Sequence, residues 1–108
     1  MKKSWATKWV KALRSGKYKQ AKNKLKAEDG HCCLGVLCTL TRYKNNYTQM
    51  KDFPTFGTNQ VLPHKIVKLV GMKTSRGAVD GITLTSLNDT GKNFNEIADF
   101  IQKNWAKL

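Results

Sequence analysis

The stretch Gly30-His31-Cys32-Cys33-Leu34-Gly35-Val36-Leu37-Cys38-Thr39-Leu40 constrains the fold more than any other part of the chain. Wound as a helix, it shows no polar face until Thr39. Cys33, Leu34, Val36, Leu37, Cys38 and Leu40 cover most of its circumference. A helix that is apolar nearly all round must be covered on every side, so it is expected at the centre of the fold. The pattern runs from His31 to about Tyr43. Gly35 costs about 1 kcal/mol in a helix interior, and a close helix crossing would account for it.

Two amphipathic helices are the natural cover. Ser4 can cap a helix from Trp5 to about Ser15, with Gly16 at its C-terminal stop. Trp5, Trp9, Ala12 and Leu13, joined by Val10, form its apolar side, while Lys8, Lys11 and Arg14 recur every three residues on another face. Near the other end, Asn93 and Glu96 have capping-box spacing, and Phe94, Ile97, Ala98, Ile101, Trp105 and Leu108 make a buried stripe. Residues 44 to 62 read as loop. Pro63 opens a short helix over residues 63 to 70, stopped by Gly71. Arg76 to Leu84 reads as a hairpin around Asp80-Gly81, a type I′ turn signal. At 108 residues the chain is a single domain, 1–108. The expected fold class is α+β, with about three main helices (N-terminal, central Cys-rich, C-terminal) and a short β-hairpin or small sheet. The Cys-rich helix should pack against both others.

All three cysteines, Cys32, Cys33 and Cys38, lie in the opening stretch. Zinc sites take about four ligands, usually in pairs of the C-x2-C kind. His31, Cys32 and Cys33 are consecutive and Cys38 follows five later, so even with His64 no paired spacing exists and no metal is expected. No other cofactor motif is present, so none is expected. A thiol at a helix start would gain a lowered pKa from the helix dipole. In that light Cys32 or Cys33 superficially resembles the nucleophile of papain-like hydrolases. Such chemistry needs a histidine in reach, and His64 follows Pro63 at a helix start. Core packing is the preferred reading, with no catalytic residues assigned and a cysteine hydrolase kept as the third reading.

Charge is the strongest global signal. The chain carries 20 basic and 7 acidic residues, a net charge of +13. Ten of the bases and none of the acids fall within residues 1 to 26. Such a field attracts polyanions to one end of a molecule. The bland alternative is a solvated Lys-rich surface from an AT-rich genome. Residues 17 to 26 are expected to be extended or irregular, with their lysines in solvent. Alternate lysines on a strand stand about 6.6–7 Å apart, a fair match to successive phosphates. The candidate anion-binding residues are Lys8, Lys11, Arg14, Lys17, Lys19, Lys22, Lys24 and Lys26.

The stretch Trp9-Val10-Lys11-Ala12-Leu13-Arg14-Ser15-Gly16-Lys17-Tyr18-Lys19-Gln20 is followed by Cys32-Cys33-Leu34-Gly35-Val36-Leu37-Cys38. Leu87-Asn88-Asp89-Thr90-Gly91 and Phe94-Asn95-Glu96-Ile97-Ala98-Asp99-Phe100-Ile101 close the pattern. Together they resemble a family of small uncharacterised bacteriophage proteins, over about half the chain. The resemblance implies a phage origin and action inside an infected bacterium. It brings no catalytic residues.

Three function classes follow. The first is a basic phage accessory protein that binds nucleic acid or another polyanion without strong sequence preference. The second is an inhibitor of a host defence factor, acting by binding an acidic host protein or by sequestering a nucleotide signal. The third is the hydrolase. No stretch approaches the roughly 20 apolar residues of a membrane span, so no membrane partner is expected, and the expected location is the cytoplasm of the infected host.

Overall fold

The computed structural model describes residues 1–22, 30–41 and 61–108, and the backbone of residues 26–27. The expected loop at 44 to 62 lies almost wholly outside the described residues.

Helix α1 spans Lys3–Arg14, starting two residues earlier than Ser4 as a cap would allow. The reason is tertiary. The backbone N–H of Lys2 donates to the Val70 carbonyl at 2.8 Å, holding Lys2 extended so that Lys2 itself is the N-cap. Ser4 is therefore within the first turn. Gly16, at φ +77°, ends the helix as its position predicts.

Strands β1 (Lys26–Ala27) and β2 (Gly30–His31) pair antiparallel, Lys26 opposite His31. On its other side His31 bridges to Gln20 in parallel register. There the N–H of His31 donates to the Lys19 carbonyl at 2.8 Å, and that of Ala21 to the His31 carbonyl at 2.7 Å. The approach is so close that a Cβ on Gly30 would stand 2.6 Å from the Lys19 carbonyl oxygen. His31 is thus a strand residue, and the apolar helix begins two residues later than its pattern suggests.

That helix, α2 (Cys33–Leu40), is buried from Cys33 through Cys38, as a helix without a polar face must be. Helix α3 (His64–Val70) follows Pro63 and is closed by Gly71. Strands β3 (Ala78–Val79) and β4 (Ile82–Thr83) form the expected hairpin, with Asp80 and Gly81 at φ 51° and 83°, the values of a type I′ turn.

Helix α4 (Leu84–Asp89) has no counterpart in the sequence reading, where Leu84 closed the hairpin. Thr83 starts it, its hydroxyl accepting from the Ser86 N–H at 3.1 Å. Helix α5 (Phe94–Asn104) carries the full capping box between Asn93 and Glu96, and a 3₁₀ turn, Trp105–Lys107, continues it. Of its stripe, Phe94, Ile97, Ala98, Ile101 and Leu108 are buried, and Trp105 is half-buried.

The class is α+β, with five α-helices among the described residues rather than about three. The packing also differs from expectation. α2 packs against α1 and α4, and α5 runs chiefly along α1. Helix α4 touches both α2 and α5.

Candidate anion-binding face and its supports

α1 and α5 are antiparallel: the Met1 amino group donates to the Trp105 carbonyl at one end, and Arg14 meets Asp99 towards the other. Ala6, Trp9 and Leu13 are buried between α1 and the core. The opposite side is in solvent and carries Lys8 and Lys11. Lys8 Nζ lies 4.8 Å from the centre of the half-buried Trp5 ring, a cation–π contact on an open surface. Trp9 is fully buried and its indole N–H donates to the Cys33 carbonyl at 2.9 Å, so it belongs to the core and is no stacking platform.

Arg14 does not join the lysines. A three-residue step falls about 60° short of a full turn on a 3.6-residue helix, so over two steps the row from Lys8 has swung about 120° towards α5. There Arg14 Nη2 donates to Asp99 Oδ1 at 2.5 Å and to Gln102 Oε1 at 3.1 Å. Its charge is already matched.

Beyond Gly16 the described chain, residues 17 to 22, is irregular apart from the bridge at Gln20. Lys17, Lys19 and Lys22 are exposed, while Tyr18, Gln20 and Ala21 are half-buried. The alternate pair that the structure displays is Lys17 and Lys19, astride Tyr18, whose ring meets that of His31 edge-on at 5.6 Å. Of the expected alternation of Lys22, Lys24 and Lys26, Lys22 alone has a described side chain, which is exposed, and its neighbour Ala21 donates its N–H to the His31 carbonyl. Lys24 and the side chain of Lys26 lie outside the described residues; the backbone of Lys26 is in β1. None of Lys8, Lys11, Lys17, Lys19 and Lys22 has an acidic partner among the described residues, whose ion pairs are Arg14–Asp99, Lys92–Glu96 and Lys107–Asp80.

One buried side chain anchors this basic segment. Asn88, on α4, is fully buried. Its Oδ1 accepts from Gln20 Nε2 at 2.9 Å and from the backbone N–H of Cys33 at 3.2 Å. Its Nδ2 donates to the Ala21 carbonyl at 2.8 Å and to Asp89 Oδ1 at 3.2 Å. Gln20 also donates to the Lys92 carbonyl at 2.7 Å. The amide therefore ties the lysine segment, the start of α2 and α4 at one point. Neither Gln20 nor Asn88 is marked by the sequence for this role, because a polar residue's burial is a tertiary fact.

The cysteines are free thiols and all three are buried. Burial pushes the Cys32 thiol above its ordinary value, and nearby backbone N–H groups, Gly35 and Leu34 among them, offset this only in part. Cys33 is pushed well up, again by burial first, and so is Cys38. At the start of α2, desolvation outweighs the helix dipole, so neither Cys32 nor Cys33 is a thiolate at neutral pH. Cys33 Sγ instead faces the Leu84 carbonyl at 3.6 Å. His64 is exposed at the start of α3. Among the described residues, no three His, Cys, Asp or Glu side chains gather as a metal site would need, and no helix is long and apolar enough to cross a membrane.

No curated protein and no solved structure shows a significant match to the chain. A family model, Domain of unknown function (DUF8296), matches residues 1–105, and the chain belongs to that family.

Proposed function

We propose that this protein is a bacteriophage accessory protein that binds nucleic acid in the cytoplasm of the infected host, without strong sequence preference. The observation that carries this reading is that Lys8, Lys11, Lys17, Lys19 and Lys22 are all exposed and none is paired with an acid among the described residues. Lysines left unpaired while Arg14 is neutralised form a field for phosphates. Phosphate contacts supply affinity and little sequence information. The phage origin rests on the motif resemblance, whose segments include Gln20, Cys33 and Asn88.

The test is binding to labelled DNA and RNA over a range of salt. Each phosphate neutralised on a duplex adds about −0.9 to the slope of log affinity against log salt. Changing Lys8, Lys11, Lys17, Lys19 and Lys22 together to Gln is expected to weaken binding and flatten the slope, with the circular-dichroism spectrum unchanged. Absence of binding by the wild-type protein to any nucleic acid at low salt would refute the reading and favour a protein partner.

A further inference from the structure

A groove of about 440 Å³ follows the seam between α1 and the end of α5. Lys3, Thr7, Val10 and Lys11 line it from α1, and Gln102 and Trp105 from the other side. No carboxylate lines it. A second groove, on the flank of α5 facing α4, holds about 260 Å³ and is lined by Glu96 and Asp99 beside Lys92, which suits no phosphate. The first sets two lysines and an aromatic wall together without a carboxylate, whereas the second sets Lys92 and Phe100 beside two carboxylates.

Its chemistry is specific. Trp105 is half-buried, and its indole N–H, unlike that of Trp9, has no hydrogen-bond partner among the described residues. The Oε1 of Gln102 is occupied by Arg14, which leaves the amide N–H₂ as a donor. Lys3 and Lys11 stand at opposite ends, eight residues and about 12 Å apart along the helix axis. The groove thus offers an indole surface, set towards the Lys3 end by the Met1–Trp105 bond, a donor amide beside it and an ammonium group at each end. Ammonium groups about 12 Å apart span two phosphate steps of a single strand, with an aromatic surface for a base beside them. A base inside a duplex presents only its edge, and a single terminal phosphate would call for lysines side by side.

We propose that the groove takes two successive unpaired nucleotides of single-stranded nucleic acid, one base stacked on Trp105 and phosphates two steps apart at Lys3 and Lys11, and that the protein therefore prefers single strands to duplex. This rests on the nucleic-acid reading above and adds the form of the ligand. Base stacking on an aromatic side chain tolerates every base, in keeping with weak sequence preference.

The experiment compares a labelled mixed-sequence single strand with its duplex across a salt series. Wild-type protein is expected to bind the single strand about tenfold or more tightly than the duplex at matched salt. Trp105→Leu should remove most of that preference while leaving the salt slope and the duplex affinity unchanged. Thr7 is exposed, so Thr7→Leu, which fills the groove with an aliphatic chain, gives the same loss in a variant whose core is untouched. Equal affinity for strand and duplex, or a preference retained in both variants, overturns this inference and leaves the broader reading standing. Displacement of the strand by a mononucleotide at micromolar concentration also overturns it, in favour of a nucleotide site. Failure to bind either form at low salt removes the broader reading and this one with it.

Discussion

Gln20 and Asn88, 68 residues apart, meet through a 2.9 Å hydrogen bond from the Gln20 amide to the Asn88 carbonyl oxygen, at a point closed off from solvent on the Asn88 side. Replacing Asn88 by Leu leaves the Cys33 N–H unbonded in the core and detaches residues 20 to 21. An expected cost of about 2–4 kcal/mol follows from the desolvated donor and the lost bonds. Urea denaturation measures it. Gln20→Ala, at a half-buried site, should cost about 1 kcal/mol.

Gly30→Ala tests the close approach of β2 to residues 19 to 21. The new methyl group would sit 2.6 Å from a backbone oxygen, so the Gln20–His31 bridge has to open. The expected loss is about 1–3 kcal/mol, with faster hydrogen exchange at the amides of Ala21 and His31.

The buried thiols predict an alkaline instability. In the folded state all three are held above the ordinary thiol value near 9. Above that pH the unfolded chain sheds thiol protons that the folded chain keeps. Stability therefore falls as pH rises, by about 1.4 kcal/mol per pH unit for each thiol. Below pH 9 they contribute no pH dependence. Thermal melts from pH 8 upward should show this, and Cys38→Ala should flatten the decline. Native-state labelling of Cys33 and Cys38 at neutral pH should be slow compared with labelling in denaturant.

Arg14 and Lys11 should respond differently to neutralisation. Arg14→Gln is expected to alter nucleic-acid binding little, because Asp99 already matches its charge. Lys11→Gln should weaken binding and reduce the salt slope. Asp99→Asn releases Arg14 and should strengthen binding. The exposed pair itself contributes about 0–1 kcal/mol, so the fold should tolerate all three changes. Affinity against salt for the three variants is the measurement.

The sequence by itself determined which segments are buried and where several of them stop. The unbroken apolar run at 33–38, the Asn93–Glu96 box and the Asp80-Gly81 turn act through neighbours in the chain, so their physics is local and legible. The lysine excess before residue 27 was equally plain. Tertiary structure decided the rest. Lys2 caps α1 because Val70 offers it a carbonyl. Arg14 leaves the basic row because α5 brings Asp99 alongside. Helix α4 forms at Thr83, and its Asn88 becomes the buried junction of segments far apart in the chain. The groove between Lys3, Lys11 and Trp105 exists only because α1 and α5 lie side by side. Periodicity records which face of a helix avoids water. It carries no record of which distant polar group or charge that face will meet, since hydrogen bonds and ion pairs depend on distances that only packing sets.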